Sequence, residues 1–340
     1  MSTFNALLPM VFLRYPESVF TTLNDFYAQH SAAVLYPAAI AAFDITNLHK
    51  INNDHGTYVG DGIIANLIQT IQCIIPSPMY LLQDLEGRIV TVCPQMTIQT
   101  LQEFSEKICT EFKDVVFGIG EAHSNYSINL AIEEASEGAR IQQICNPKSK
   151  KHEPLFALMS LMKASDDYLE QHVLRTQKLS SKIANKINLD FIDKCELNLV
   201  CMLHDIGKLF IPAHIVQKPG ALTSQEMNIM KQHTQKGADF LSKMPSFESI
   251  APYVKSHHEH FDGSGYPEGL SGNTIPLLSR IVSLVDAYDA MAHDRVYRKA
   301  LPEREIINQL LEGTGTQFDP HLATLLITMI ENGELRQGDI

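Results

Sequence analysis

The sequence has no apolar run that approaches the roughly 18–20 residues a helix needs to cross a bilayer. The strongest candidate, AAVLYPAAIAAF, is short and contains Pro37. The N-terminal stretch MSTFNALLPMVFLRYPE lacks the basic region that opens a signal peptide. We therefore expect a cytoplasmic protein that does not interact with a membrane.

Basic residues are scarce, since 27 Lys and Arg stand against 39 Asp and Glu, for a net charge of -12. This balance argues against binding to a nucleic acid polymer or an anionic membrane, although it is compatible with a local basic pocket. Paired cysteines are also missing, because none of the six cysteines forms a CxxC motif. Most of them lie in apolar runs, which predicts buried, reduced thiols.

The 340 residues are enough for two domains, and the two halves differ in their patterns. Residues 1–33 are an N-terminal extension that matches no pattern. Strand-like and helix-like segments alternate over residues 34–145, which predicts an α/β domain with a central sheet flanked by helices. The predicted strands are AAIAAFDI, MYLLQDL, RIVTVCP and VVFGIGEA, with a hairpin turn at Glu86–Gly87. The predicted helices are YVGDGIIANLIQTIQCII, TIQTLQEFSEKICTEF and SINLAIEEASEGARIQQI.

The second half contains helical patterns without strand signals. Residues 146–154 are polar and proline-containing, which predicts a linker, and residues 155–340 then predict an all-α domain. FIDKCELNLVCMLHDIG predicts a helix that ends near Gly207. TSQEMNIMKQHTQKGADFL predicts a helix that opens with a capping box between Thr223 and Glu226. Further helices are expected in LSRIVSLVDAYDAM and PEREIINQLLEG.

Histidines and acids repeatedly stand at the edge of apolar helical faces in this half. His204–Asp205 ends LNLVCMLHD, His233 follows MNIM, and Asp286 follows RIVSLV. Because burial of such groups is costly unless they are paired, we expect them to converge on one interior site. Histidine and carboxylate are ligands of first-row transition metals, so iron, manganese, zinc, cobalt and nickel all remain open. The number of ligands predicts two ions that share a carboxylate, as in phosphoester hydrolysis.

HDIGK followed by HHEHFDGSGYP resembles the HD-GYP family of metal-dependent phosphohydrolases, and the resemblance covers residues 155 to 332. It implies that Asp205 is shared by both ions and that Lys208 lies near the scissile phosphate, so both are predicted catalytic residues. It implies iron or manganese as the metals. Tyr168 stands where some members carry a glutamate for a third ion, so we predict a binuclear site. The implied metal ligands are His172, His204, Asp205, His233, His257, His258 and Asp286. Besides the shared Asp205, one ion would be bound by His172, His204 and Asp286, and the other by His233, His257 and His258.

The same resemblance implies hydrolysis of cyclic di-GMP to pGpG, with further cleavage to GMP left open. The predicted substrate-binding residues are Gly265, Tyr266, Asp289, Arg295 and Arg298. Two alternatives stand beside this hypothesis. The substrate could be the mixed cyclic GMP-AMP dinucleotide, or the chain could be a cyclic-dinucleotide sensor with little turnover.

FDITNLHKINNDHGTYVGD resembles the start of a GGDEF domain, the diguanylate cyclase fold. Asp44, Asn52 and Asp61 fall on matching positions and form a predicted degenerate nucleotide site. Thr46 replaces an expected acid, and LEGRI stands where the GGDEF signature belongs. We therefore predict a GGDEF-like domain over residues 34–145 without cyclase activity. Either it binds a guanine nucleotide and regulates its neighbour, or it is a scaffold for a homodimer or a regulatory partner, which we favour because the phosphate-facing part is lost.

Overall fold

A computed structural model describes residues 36–84, 87–124, 127–165, 169–294 and 299–335. The chain divides into two compact units, Met1–Glu153 and Pro154–Ile340. The predicted N-terminal extension, residues 1–33, lies outside the described residues. In the described part of the chain, no helix combines the length and the apolar character that crossing a membrane would require.

The N-terminal unit contains a four-stranded antiparallel sheet in the order β2-β3-β1-β4. Its elements are β1 Ala38–Ile45, α1 Leu48–His55, α2 Thr57–Ile74, β2 Tyr80–Gln83, β3 Ile89–Pro94, α3 Ile98–Glu111, β4 Val115–Ala122 and α4 Ile128–Cys145. The predicted strands and three predicted helices are confirmed. Helix α1 was not predicted, because it is short and mostly polar and none of its residues is buried.

Two glycines of β4 allow a helix to lie directly on the sheet. A Cβ atom at Gly118 would stand 2.0 Å from the carbonyl oxygen of Ala135, and one at Gly120 would stand 2.3 Å from that of Ala131. Residues two apart face the same side of a strand, so both glycines face α4. The buried alanines of α4 complete this close contact and form part of the core of the unit.

The predicted hairpin joins β2 to β3. The Asp84 N–H donates to the Arg88 carbonyl at 3.1 Å, and the Gly87 N–H donates to the Asp84 carbonyl at 3.1 Å. Gly87 has a φ of 84°, a left-handed conformation that glycine adopts without strain. Glu86 itself lies outside the described residues.

The second unit is helical, as predicted. Over 154–165, 169–294 and 299–335, extended pairing is limited to an isolated bridge between Thr314 and Phe318. The α-helices are α5 Glu153–Ser165, α6 Leu169–Lys186, α7 Phe191–Leu203, α8 Ala213–Val216, α9 Ser224–Met230, α10 His233–Leu241, α11 Ala251–Lys255, α12 Leu277–Ala292, α13 Glu303–Gly313 and α14 Pro320–Glu331. Short 3₁₀ turns occur in this unit at Ile206–Phe210, Glu248–Ile250 and Gly272–Thr274, and another, at Lys150–His152, lies in the N-terminal unit.

Two helix boundaries differ from the prediction. Helix α7 ends at Leu203 rather than near Gly207, and a 3₁₀ turn over Ile206–Phe210 follows. The capping box at Thr223 and Glu226 is confirmed, but the helix it opens is interrupted before His233. Both departures occur beside predicted metal ligands, where the chain turns so that side chains from different helices can meet.

Candidate functional site

The predicted metal ligands come from five parts of the helical unit. His172 lies on α6, His204 and Asp205 directly after α7, and His233 at the first residue of α10. His257 and His258 follow α11, and Asp286 lies on α12, which packs against α6. Residues separated by more than 100 positions in the sequence are therefore brought to one interior region.

The first group of ligand atoms contains His172, His204 and Asp205, whose ligand atoms all lie within 4.8 Å of one another. The Nε2 atoms of His172 and His204 are 3.4 Å apart. Nε2 of His172 also lies 3.6 Å from Oδ1 of Asp286. Asp286 therefore adjoins this group, as the sequence-based assignment expects for one ion.

The second group contains His233, His257 and His258, again within 4.8 Å. The Nε2 atoms of His233 and His257 are 3.4 Å apart. Asp205 stands between the two groups, because its Oδ2 lies 3.6 Å from Nε2 of His204 and its Oδ1 lies 3.6 Å from Nε2 of His233. This is the geometry that a carboxylate shared by two ions would need.

Backbone carbonyls orient three of these rings. Nδ1 of His204, His233 and His257 lies 3.0, 2.8 and 2.6 Å from the carbonyl oxygen of the residue three positions earlier. A ring nitrogen held in this way leaves Nε2 with a lone pair directed at the centre. The local helix or turn geometry therefore sets the orientation of the ligand.

Burial lowers the pKa of His172, but its hydrogen bond to Asp289 and the charge of Asp286 outweigh burial and raise that pKa. Burial favours the neutral form of His233, His257 and His258. It is the main cause that lowers the pKa of His258 to about 3 and that of His257 well below its usual value. Burial raises the pKa of Asp205, but Lys208 and the neighbouring histidines outweigh it and hold that pKa well below the usual range. Neutral imidazoles beside an ionised carboxylate are the form in which these groups bind a metal, so the donor set fits the predicted ions.

Lys208 lies on the 3₁₀ turn that follows Asp205. Its Nζ is 2.6 Å from Oδ2 of Asp205, and about a third of its side chain is exposed. The ammonium group therefore stands at the rim of the ligand cluster, where a phosphate group could reach it.

The glycine-rich loop folds back on the second group. The Tyr266 N–H donates to the carbonyl of His258 at 3.1 Å, and the two rings lie 5.0 Å apart. A Cβ atom at Gly265 would stand 2.2 Å from the nitrogen of His260, so only glycine allows this approach. The buried carboxylate of Glu259 accepts hydrogen bonds from the N–H groups of Glu268 and Leu270 and holds the loop closed.

The sequence placed Asp289 among the substrate-binding residues, and the structure places its side chain against other side chains of the helical unit. Asp289 is 2% exposed and lies behind His172. Its carboxylate accepts from Nδ1 of His172 at 2.8 Å and from Arg175, and it also contacts His293. Both oxygens are thus occupied by protein groups, because Asp289 is one helical turn beyond Asp286 on a face that packs against α6. The remaining predicted contacts, Arg295 and Arg298, lie outside the described residues, as does Tyr168.

Two residues near the site were not predicted. Arg175 follows His172 by one helical turn and is buried on the same helix. Nζ of Lys231 lies 4.9 Å from the centre of the Tyr266 ring. Sequence spacing gave no signal for Lys231, because the loop alone brings Tyr266 to it.

The N-terminal unit holds a cavity of about 370 Å³ at the predicted degenerate nucleotide site. Asp44 and Asn52 line it, whereas Asp61 does not. Arg88 lies 3.5 Å from Asp44 and 2.9 Å from Asp84, and Lys151 lies 3.6 Å from Asp44. The cationic residues of the lining are Lys50, Arg88, Lys150 and Lys151.

Residues 157–322 match the family profile of the HD domain. The chain is similar to a cyclic di-GMP phosphodiesterase of Thermotoga maritima, with 34% identity over 52% of this chain and 49% of that protein. A cyclic di-GMP phosphodiesterase of Pseudomonas aeruginosa is 37% identical over 49% of this chain and 41% of its own length. A 3′3′-cGAMP-specific phosphodiesterase of Vibrio cholerae is 29% identical over 67% of this chain and 41% of its own length. The chain thus spans about half or less of the length of these three relatives, and the HD match begins beyond the N-terminal unit.

Proposed function

We propose that this chain is an HD-GYP-type, metal-dependent phosphodiesterase that opens cyclic di-GMP to pGpG. The observation that carries the proposal is the pair of ligand groups on either side of Asp205, whose two oxygens face different groups. The names of the relatives support a cyclic dinucleotide as the substrate class.

Two ions would be held on opposite sides of Asp205. His172, His204 and Asp286 would hold one, and His233, His257 and His258 the other. When bound, such ions supply Lewis acidity for attack of water on a phosphodiester. The resemblance favours iron or manganese, and the donor chemistry also accepts zinc, cobalt or nickel.

The chain's own residues bind and orient the substrate. The ammonium of Lys208 stabilises negative charge that develops on the phosphate, because it is fixed beside Asp205 before the substrate arrives. The ring of Tyr266 offers a flat surface for a guanine base next to the second ligand group. The buried histidines keep bulk water out of the reacting region.

A chromatographic assay tests this function. The full chain is purified without chelators, supplied anaerobically with Fe(II) or Mn(II), and incubated with cyclic di-GMP and, separately, with the mixed cyclic GMP-AMP dinucleotide. We expect pGpG to form from cyclic di-GMP, and the later appearance of GMP would show whether the linear product is also a substrate. His204→Ala and Lys208→Ala should abolish or strongly reduce turnover.

The matched control is His214→Ala, which removes an exposed histidine that belongs to neither ligand group. It should leave turnover unchanged. Faster cleavage of the mixed dinucleotide would replace the substrate proposed here. Binding of cyclic di-GMP without any cleavage under either metal would instead establish the sensor hypothesis.

For the N-terminal unit, we propose a nucleotide-binding role without cyclase activity, in place of the scaffold role that the sequence favours. The cavity at Asp44 and Asn52 supports this proposal, because it offers space and several cations for phosphate groups. Arg88 and Lys151 pair with Asp44, the carboxylate that cyclase chemistry would need for magnesium.

Calorimetric titration of GTP into the full chain in EDTA tests this role. We expect saturable binding that Lys150→Ala weakens, whereas Lys107→Ala, on the exposed face of α3, has no effect. Absence of GTP binding would support the scaffold role instead. In a separate incubation with Mg(II), formation of cyclic di-GMP from GTP would show that cyclase activity survives.

A further inference from the structure

The ligand histidines are held in two different ways. His204, His233 and His257 each direct Nδ1 at a backbone carbonyl from their own helix or turn. His172 instead directs Nδ1 at a side-chain carboxylate, Asp289, from another helix. A carbonyl is fixed by the backbone, whereas a carboxylate must itself be held in place.

Arg175 holds that carboxylate. Its Nε donates to Oδ1 of Asp289 at 2.5 Å, and a terminal nitrogen donates to Oδ2 at 3.1 Å. This is the two-point geometry in which a guanidinium matches a carboxylate. The side chains of Arg175 and Asp289 are 9% and 2% exposed, so water contributes little to the pairing.

The spacing on the two helices is reciprocal. On α6, the ligand His172 is followed three residues later by Arg175, and on α12 the ligand Asp286 is followed three residues later by Asp289. Residues three apart lie on the same helical face. Each helix therefore contributes one metal ligand and, one turn later, one residue of the pair formed by Arg175 and Asp289.

We propose that Arg175 is a positioning residue that acts through Asp289 to orient His172, and so controls occupancy of the ion position formed by His172, His204 and Asp286. The proposal rests on the proposed metal centre but not on the identity of the substrate. Arg175 contacts Asp289, and Asp289 in turn contacts the ligand His172.

The physical reason lies in the donors and acceptors. An ionised carboxylate only accepts hydrogen bonds, so the hydrogen between Asp289 and His172 belongs to Nδ1 of the imidazole. In the neutral imidazole that binds a metal, Nε2 of His172 carries its lone pair toward His204 and Asp286, 3.4 and 3.6 Å away. A carboxylate behind a ligand histidine also strengthens it as a donor. Without Arg175, Asp289 would lose its two-point support and a compensating charge in a buried site.

The same dependence makes the two ion positions unequal. One relies on a carboxylate held across two helices, and the other relies on His233 and His257, whose rings are held by local backbone carbonyls. Loss of Arg175 should therefore weaken the first position selectively, which general destabilisation would not do.

The experiment compares metal content in full-length variants. Wild type, Arg175→Met and Arg175→Lys are equilibrated with Mn(II), freed of excess metal, and measured by mass spectrometry of the metal and by electron paramagnetic resonance. We expect about two ions per chain in wild type and about one in Arg175→Met, with the signal of coupled ions replaced by that of isolated Mn(II). In Arg175→Met, the affinity for one ion should fall roughly 10- to 100-fold. Arg175→Lys keeps the positive charge but not the two-point hydrogen bonding, so its affinity should lie between those of wild type and Arg175→Met.

Arg280→Met is the matched control, because Arg280 forms a similarly buried pair with Asp319 elsewhere in the same unit. It should keep both ions while losing thermal stability. Two ions bound with unchanged affinity in both Arg175 variants would overturn the proposal. Equal loss of metal from Arg175→Lys and Arg280→Met would also overturn it. So would fewer than two ions bound to wild type. If wild type binds two ions but cleaves no cyclic dinucleotide, the proposed activity fails while the role of Arg175 stands.

Discussion

At the scale of a single residue, adding one methyl group to Gly265 is enough to move the side chain of Tyr266. An alanine Cβ would stand 2.2 Å from the nitrogen of His260 and 2.5 Å from Cα of Glu259. Both are backbone atoms, so the loop must shift and carry Tyr266 with it. We expect Gly265→Ala to raise the KM for cyclic di-GMP about tenfold or more, the scale of one lost base stacking contact, with metal content unchanged.

Ser264→Ala is the control for that change, because it alters the neighbouring residue without adding backbone overlap. It should leave KM near the wild-type value. A Gly265→Ala variant with normal KM would show that Tyr266 does not contact the substrate, and loss of metal would show that the loop supports the ligands instead.

At the scale of elements, Gly207 allows two ligand-bearing segments to touch. A Cβ atom there would lie 1.8 Å from the carbonyl oxygen of His233 and 2.7 Å from the nitrogen of Gly237. The 3₁₀ turn after Asp205 therefore packs directly on α10. We expect Gly207→Ala to separate Asp205 from His233 and to lower metal content and turnover together.

Gly62→Ala provides the contrast, since nothing lies within 4 Å of a Cβ atom on that residue of α2. It should stabilise the chain by roughly 0.5–1 kcal/mol, because alanine loses less backbone entropy in a helix. Full metal content in Gly207→Ala would contradict the proposed close packing of the turn on α10.

Helix α7 carries an acid whose ionisation works against folding. Burial, together with Asp190 and Glu196, raises the pKa of Asp193 to about 6. Because the folded value exceeds the unfolded value near 4, the stabilising contribution is complete below about pH 4 and is lost as pH rises through about 6. Asp193→Asn should therefore gain stability relative to wild type between pH 4 and pH 7, by about 1 kcal/mol after allowance for partial exposure.

Thermal unfolding at several pH values measures this difference. A gap between variant and wild type that stays constant across the range would contradict the pKa given for Asp193.

At the scale of the whole molecule, metal removal should affect one unit. Each ion present at about 100 times its Kd adds about 2.7 kcal/mol, or roughly 5–10 °C in Tm for a unit of this size. We expect a chelator to lower the unfolding temperature and to reduce amide protection around His172 and His257. Protection of β1, Ala38–Ile45, should not change.

Hydrogen exchange followed by mass spectrometry locates the effect, and Mn(II) added back should reverse it. Equal loss of protection in β1 would show that the metals support both units rather than the helical unit alone.

Local pattern determined much of this protein. The strands AAIAAFDI and VVFGIGEA agree with the structure residue for residue, because continuous apolar runs of that length bury well in a central sheet. The capping box at Thr223 was likewise readable, since it depends on residues three apart. Helix α1 was not, because nothing in it is buried.

The sequence identified the candidate metal ligands, and the tertiary structure determined which residues surround them. His204, His257 and His258 were identifiable because they stand in HDIGK and HHEHFDGSGYP, and the family resemblance that these motifs carry implied His172 and His233. That Asp289 contacts His172, that Arg175 pairs with Asp289, and that Gly207 lies against His233 depended on how separate helices pack. Sequence spacing reports contacts within one turn of a helix, whereas contacts between α6 and α12 span more than 100 residues and arise only when the chain folds.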